Sequence, residues 1–345
     1  MKSFITAAFK PYSPLKKAYI STTSKIKVAI ADTFSQNGLS ELIKLANVCY
    51  IPKLTGVSLE KEITLFNPQI LIVRSKKLNK DLINSSTTLS AVIRAGVGYD
   101  TIDIEHCCKK GITVSNCPGK NSIAVAELTM GLILALDRRI AENDHLIKIG
   151  KWNKASYANC IGLYGRTLGL IGTGNIGKEV AKRALSFGMK VAAFDKYSSP
   201  EGMQGIYVMK SLEELIRQSD IISLHIPKTK ETNQIINRDT LAKMRADAVL
   251  VNTARGELVN EEDILERLSS VKGFYYGCDV IMNEPAKKEC EFKSKIAMHE
   301  KVCCTHHIGA STLQAEEAIG MEAVRMVRKY IDEGIMDNIV NKKKL

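Results

Sequence analysis

Arg255, Asp279, Glu284, His306 and His307 are the side chains of this sequence best suited to moving a proton beside an anion. An arginine fork grips a carboxylate through two parallel N–H donors and polarises a carbonyl next to it. A histidine exchanges protons near neutral pH. A carboxylate on its second ring nitrogen orients the ring and raises its pKa. Such a set suits reduction of a 2-oxo acid, the proton reaching the carbonyl oxygen as hydride reaches the carbon. His306 and His307 remain equivalent on this reading. His225, two residues before Pro227, reads first as a satisfied structural histidine.

Hydride needs a carrier, and residues 166–195, RTLGLIGTGNIGKEVAKRALSFGMKVAAFD, have the order of a dinucleotide site. Leu168–Ile171 suits a buried strand, and Gly172, Gly174 and Gly177 follow at G-x-G-x-x-G spacing. Ile176, Val180, Ala181 and Leu185 then recur at a helical period. Gly188 stops that helix, Val191–Phe194 makes a second strand, and Asp195 closes it. Gly172 permits the tight turn, Gly174 lets backbone approach a pyrophosphate, and Gly177 brings helix against strand. Asn175 and Ile176 lie within the turn and open the helix, whose free N–H groups and dipole face the phosphates. Asp195, 18 residues past Gly177, is placed to accept from the ribose hydroxyls. Its charge repels a 2′-phosphate and favours NAD over NADP, while the adjacent Lys196 leaves room for NADP.

Both sets belong past the carboxyl ends of strands, where open α/β sheets bind ligands. Ahead of the glycine turn, strands are predicted at 26–32, 48–51, 69–73, 91–95 and 112–114, with helices at 40–46, 81–83 and 102–109. That alternation makes a complete small parallel α/β domain. Residues 122–140 read as one long helix, apolar all round, which needs burial on several sides, in a core or between subunits. Beyond the turn, strands at 221–226, 248–251, 274–280 and 302–305 alternate with helices at 211–218, 241–244 and 261–268. These fill a doubly wound sheet. Ser211 and Glu214 have capping-box spacing. A last helix runs from Gln314 through Ile331 and out to the C-terminus.

A chain of 345 residues suits about two domains. Its net charge is +12, but six lysines in residues 1–27 and three at 342–344 leave +3 for the body. No like-charge block interleaved with aromatics occurs there, which argues against a nucleic-acid partner. The nine cysteines are scattered, with no C-x-x-C, so neither a disulfide framework nor a metal site is expected. The most apolar segment, 123–136, is too short to span a bilayer, and no membrane partner is expected. Residues 1–25 read as a flexible basic extension or an organellar transit peptide; the expected location is otherwise the cytoplasm.

At the residues named first, the sequence resembles a family. VNTARGELV (251–259), DVIMNEP (279–285) and HIGAST (307–312) look like signatures of the D-isomer-specific 2-hydroxyacid dehydrogenases. So do RAGVGYDTID (94–103), NSIAVAEL (121–128) and HIPKTKET (225–232). The resemblance covers the chain from about residue 26 onward, in the family's motif order. It implies a catalytic triad of Arg255, Glu284 and His307, and so selects His307 over His306. It implies NAD contacts from His225, Ile226, Pro227, Thr232, Thr253, Ala254, Arg255, His307 and Gly309, with Asp279 at the nicotinamide carboxamide. Gly96, Val97 and Gly98 match the loop that holds the substrate carboxylate, and Asn121 opens the next motif on the substrate side.

Within the family the nearest likeness is to short D-3-phosphoglycerate dehydrogenases. That implies oxidation of 3-phosphoglycerate to 3-phosphohydroxypyruvate, the opening step of serine synthesis. Arg74, Ser75, Lys76 and Arg94 would then surround the substrate phosphate, with Arg138 reaching a partner subunit's site. No C-terminal amino-acid-binding domain is expected, and therefore no feedback by serine. The alternatives are another family member, acting on hydroxypyruvate or glyoxylate, and a non-catalytic NAD-binding protein like the corepressors that resemble this family. The implied fold is α/β in two domains. An NAD-binding doubly wound (Rossmann) domain, 119–309, is inserted in a flavodoxin-like substrate domain of 26–118 and 310–345. A homodimer through the NAD-binding domain is implied as well.

Overall fold

The computed structural model describes residues 19–20, 25–197, 204–285 and 289–341. The transit-peptide reading and Lys342–Lys344 therefore fall largely outside the described residues. The chain forms two compact units. One holds the described residues up to Lys120 and again from Glu316; the other runs from Asn121 to Ala315.

The first unit begins with β1 (Tyr19–Ile20), β2 (Lys27–Ile30), α1 (Gln36–Leu45), β3 (Asn47–Tyr50) and α2 (Gly56–Phe66). It continues through β4 (Ile70–Val73), α3 (Lys80–Asn84), β5 (Ala91–Arg94), α4 (Ile104–Lys109) and β6 (Thr113–Asn116). The sheet order is β1-β3-β2-β4-β5-β6, parallel except for β1 against β3. The five parallel strands have the flavodoxin-like order. They are apolar without alternation because both faces are covered. Val28, Ile30, Ile72 and Ile93 pack on one side, and Ala29, Leu71, Val73 and Val92 on the other.

The second unit contains α5 (Ser122–Asp137), α6 (Ile140–Lys148), β7 (Thr167–Ile171), α7 (Asn175–Ser186), β8 (Lys190–Phe194) and β9 (Ile206–Val208). Then come α8 (Leu212–Gln218), β10 (Ile221–Leu224), α9 (Arg238–Ala242), β11 (Val249–Asn252), α10 (Glu261–Ser270), β12 (Tyr275–Cys278) and β13 (Val302–Cys304). All seven strands are parallel in the order β13-β12-β11-β10-β7-β8-β9. The order reverses between β7 and β10, the Rossmann switch point where such sheets take a dinucleotide. From there α11 (Leu313–Glu333) carries the chain back to the first unit.

Several predicted elements differ from those found. Strand β1 precedes the predicted first strand and pairs antiparallel with β3. Helix α2 lies where no helix was predicted. Its N-cap Thr55 makes no capping hydrogen bond and its first residue, Gly56, has φ +51°, a residue type and conformation that read as a turn and not as a helix start. The predicted helix over 122–140 breaks at Arg139, whose left-handed backbone (φ +49°) ends α5 and starts α6. The capping box at Ser211 is half formed. Ser211 accepts from the Glu214 N–H, but the Glu214 carboxylate accepts from Lys210 instead. The complete box is at Asn237 and Thr240. Finally, the last helix does not run out to the C-terminus. The chain turns at Gly334 (φ +71°) and residues 338–341 lie antiparallel along β6. There Val340 N–H donates to Val114 O at 2.8 Å, and the Asn341 side chain bonds Val114 N and Ile112 O.

Candidate active site

At the glycine turn two of the three glycines are demanded by the chain itself. Gly172 has φ +100°, and a Cβ on it would lie 2.5 Å from the His225 carbonyl oxygen. A Cβ on Gly177 would lie 2.2 Å from the Gly172 carbonyl oxygen. Gly174 differs: its φ is an ordinary −64°, and a Cβ there would meet nothing within 4 Å. Nothing inside the protein requires glycine at this point, so the requirement comes from a group outside it. A pyrophosphate at the N-terminus of α7 fits, where Asn175 and Ile176 begin the helix. Asp195, at the end of β8, is fixed beside this turn. It accepts from Thr173 N at 2.7 Å, from the Thr173 hydroxyl at 3.1 Å and from Tyr197 N at 2.9 Å.

The loop after β10 carries His225, Ile226 and Pro227. Burial pushes the His225 imidazole down to about 3, so it is neutral. Its Nε2 lies 2.9 Å from Ser223 Oγ, and its Nδ1 is buried without a hydrogen-bond partner among the described residues. A buried unpaired polar atom is costly unless a bound group meets it, which again fits a cofactor. Thr232 steadies the same loop by donating to Pro227 O at 2.7 Å.

After β11 the strand ends in Asn252, whose role the sequence reading missed. Asn252 is fully buried; its Nδ2 donates to Arg255 O at 2.8 Å and its Oδ1 accepts from Ala254 N. One side chain thus shapes the turn through Thr253 and Ala254. The Thr253 hydroxyl meets that of Thr129 from α5 at 2.9 Å. Arg255 donates through Nη1 to Ala254 O. A Cβ on Gly256 would lie 2.3 Å from the Ile281 carbonyl carbon, so the Arg255 turn packs directly on the 281–282 backbone. That backbone is held in turn by Glu261, which accepts from Met282 N at 2.7 Å, and by Glu284, which accepts from Ile281 N at 3.2 Å. Gly256 and Glu261, also unassigned from sequence, therefore join the Arg255 turn to the Glu284 turn.

Asp279 ends the β12 segment and is 2% exposed. Its Oδ1 accepts from the Thr305 hydroxyl at 2.6 Å and Ile308 N at 2.8 Å, and its Oδ2 from Gly309 N at 2.7 Å. Its main-chain oxygen accepts from His307 N at 2.8 Å. These four bonds hold His307 at φ +53°, a conformation that a non-glycine residue adopts only when its surroundings enforce it. The His307 side chain is 52% exposed, and its Nδ1 lies 2.7 Å from Glu284 Oε2. The hydrogen bond to Glu284 raises the His307 pKa above its ordinary value, against the opposing pull of burial. The pairing with Glu284 is made by His307 and not by His306.

The candidate substrate residues of the first unit are largely engaged within that unit. Asp32, at the end of the first predicted strand, accepts from the N–H groups of Arg74, Ser75 and Lys76 at 2.7–3.1 Å and from the Ser75 hydroxyl. Burial alone pushes the Asp32 carboxyl up; these donors outweigh it and hold the carboxyl below its ordinary range. Lys76 Nζ donates to Pro52 O at 2.8 Å, and Arg74 Nη1 lies 3.6 Å from Glu316. The guanidinium of Arg94 folds over the Gly96-Val97-Gly98 loop; a Cβ on Gly96 (φ +150°) would overlap it. Asn116 donates to Val97 O and fixes that loop. Asn121 and Arg138 belong to the second unit, Asn121 just ahead of α5 and Arg138 at its C-cap.

Among the described residues no cluster of three or more His, Cys, Asp or Glu is placed to hold a metal ion, and no helix is long and apolar enough to cross a membrane. A doubly wound sheet with this glycine turn, and a carboxylate–histidine pair on its rim, define an NAD-dependent oxidoreductase. Residues 130–309 match the profile described as D-isomer specific 2-hydroxyacid dehydrogenase, NAD binding domain. The chain is 43% identical over 283 residues to a hydroxypyruvate reductase of Thermotoga maritima, covering 81% of this chain and 91% of that protein. It is 36% identical to a D-3-phosphoglycerate dehydrogenase of Methanocaldococcus jannaschii, covering 92% of this chain but 59% of that one. Among solved structures, the NAD+-bound 3-phosphoglycerate dehydrogenase of Entamoeba histolytica superposes with a TM-score of 0.76 at 28% identity, covering 92% of this chain and 99% of that one. The chain belongs to the D-isomer-specific 2-hydroxyacid dehydrogenase family, and its cofactor is NAD.

Proposed function

We propose that this enzyme reduces hydroxypyruvate, a three-carbon 2-oxo acid, with NADH, and runs the reverse reaction on D-glycerate. The observation that carries the chemistry is the 2.7 Å bond between His307 Nδ1 and Glu284, which leaves Nε2 to serve the substrate. NAD supplies the hydride or accepts it. Arg255 grips the substrate carboxylate and polarises the ketone. His307, its pKa raised by the hydrogen bond to Glu284, donates its Nε2 proton to the carbonyl oxygen; in oxidation the neutral ring takes it back. Within the first unit, the Arg94 guanidinium lies against the Gly96–Gly98 loop, a combination of charge and backbone N–H groups suited to an anion.

The unphosphorylated substrate is supported by Lys76 on Pro52 and Arg74 on Glu316, which direct two candidate phosphate ligands to partners of their own unit. The similarity to the Thermotoga maritima protein along nearly its whole length supports it too. The second reading, 3-phosphoglycerate, is favoured by the similarity to the Entamoeba histolytica enzyme and by the presence of Arg74, Lys76 and Arg94 in one unit. An NADH-oxidation panel separates them: hydroxypyruvate, phosphohydroxypyruvate, glyoxylate, pyruvate and 2-oxoglutarate. A kcat/KM at least tenfold higher on phosphohydroxypyruvate would overturn the first reading. Turnover on none of the five would overturn both and leave an NAD-binding protein.

A homodimer through the second unit completes the proposal. Ile147, Trp152, Ile161 and Tyr164 are 60%, 82%, 66% and 89% exposed around α6 and the segment after it. Large apolar side chains left this exposed suit a protein contact if they adjoin. Light scattering of a monomer at micromolar concentration would contradict it.

A further inference from the structure

Cys278 ends β12 and Cys304 ends β13, and the two strands run parallel with these residues in register. Adjacent strands lie about 4.8 Å apart, inside the roughly 4.4–6.8 Å Cα separation that a disulfide accepts. Both thiols lie on the same face of the sheet. Cys278 belongs to the apolar cluster with Ile264 and Tyr276, and Cys304 packs against that cluster, whereas Cys303 joins the cluster of the opposite face. Cys278 is buried and Cys304 only partly so, with its Sγ 3.5 Å from Thr305 O. Packing needs a small apolar residue at each position; it does not need two facing thiols.

From this arrangement we propose that Cys278 and Cys304 form a reversible oxidative modification site, in which a disulfide between them disables the active site. The oxidant is hydrogen peroxide. The Cys304 thiolate attacks it, forming an S–O bond, breaking the O–O bond and releasing water once a proton is taken up. Cys278 then attacks that sulfur; the S–S bond forms, the S–O bond breaks and a second water leaves. Two thiols are oxidised, one peroxide is reduced, and a dithiol reverses the change. The influence of the neighbouring thiol favours this order, lowering the Cys304 pKa and raising that of Cys278.

The consequence for activity rests on the function proposed above. Asp279 and Thr305 are the next residues along the two strands, joined side chain to side chain at 2.6 Å, and Asp279 holds Ile308 and Gly309. A disulfide holds its Cβ atoms at about 3.8 Å with a fixed torsion, so closing it constrains the two strand ends that carry Asp279 and Thr305. A displacement of about 1 Å passed on to the His307 loop would cost about 100-fold in rate.

The test uses the full chain treated with hydrogen peroxide, alkylated, digested without reduction and mapped by mass spectrometry. The expected product links the peptide of Cys278 to that of Cys304, assigned over Cys303 by fragmentation. NADH-dependent turnover falls about 100-fold and returns with dithiothreitol. Cys304→Ser and Cys278→Ala each keep their starting activity and resist peroxide. Absence of the link, or a link with turnover retained, would overturn the proposal. If no substrate is turned over, linkage and NADH fluorescence titration still report on the site, so a wrong substrate and a wrong thiol pair give different results.

Discussion

Each sheet ends one strand in a buried aspartate that braces a neighbouring loop, yet the two loops do different things. Asp279 in the second unit gathers the Thr305 hydroxyl and the N–H groups of Ile308 and Gly309. Asp32 in the first gathers the N–H groups of Arg74, Ser75 and Lys76 and the Ser75 hydroxyl. The loop on Asp279 presents His307 to Glu284, half exposed and with a shifted pKa. The loop on Asp32 turns Arg74 toward Glu316 and Lys76 onto Pro52. Bracing is therefore a property of the fold, and function is decided by what the braced loop displays.

The sharpest way to break this contrast is at the displayed group. His307→Asn is expected to lower kcat by about 10²–10⁴-fold while NADH still binds by fluorescence titration; a loss below tenfold would remove the proton from this loop. Next come the two braces. Asp279→Asn places an N–H against an N–H and is expected to lower kcat by about 100-fold. Asp32→Asn is expected to cost about 1–3 kcal/mol of stability in urea melts while kcat changes little. The Asp32 carboxyl is held below its ordinary value of 3.8, so its stabilisation is full above that value and is lost as pH falls through the lower folded value. Acid unfolding of Asp32→Asn should then lose this part of its pH dependence.

The glycine turn offers a finer comparison. Gly177→Ala collides with Gly172 O and is expected to cost about 1–3 kcal/mol in thermal melts. Gly174→Ala has open space, so the melt should be unchanged while NADH affinity drops about tenfold, or about 1.4 kcal/mol. Equal effects of the two on stability would show that the second glycine answers to the fold after all.

Smaller still is the pH dependence. Because Glu284 raises the His307 pKa, 2-oxo acid reduction should persist above pH 6.5 and fall only as pH rises through the higher folded value. Glu284→Gln should move that limb down toward 6.5, and an unmoved limb would assign it to another group. Smallest of all, Lys76→Gln should change KM for hydroxypyruvate by less than about twofold, since an engaged surface cation contributes little. A tenfold rise confined to phosphohydroxypyruvate would restore the phosphate reading.

What was legible in the sequence follows the same division. The glycine turn, Asp195 and the strand alternation are backbone requirements, and backbone requirements leave glycines and apolar periods that can be read in order. The His307–Glu284 pair was less legible, because residues 23 positions apart meet only through strand order. Asn252 and Asp32 escaped notice although both close an apolar strand with one polar residue, the signal that should have exposed them. Gly256 was readable only as part of a motif, its reason being the approach of Ile281 from another turn. Helix α2 lacks a side-chain N-cap bond, and the break at Arg139 has no glycine or proline to announce it.

The segment 338–341 along β6 has a consequence of another kind. A sheet's outer strand presents unpaired N–H and C=O groups, a template on which another chain can add. Here that strand is covered by the chain's own returning end, through Val340 and the Asn341 amide. Those few residues act as a guard against self-association, and shortening them would turn a quiet margin of the first sheet into an adhesive one.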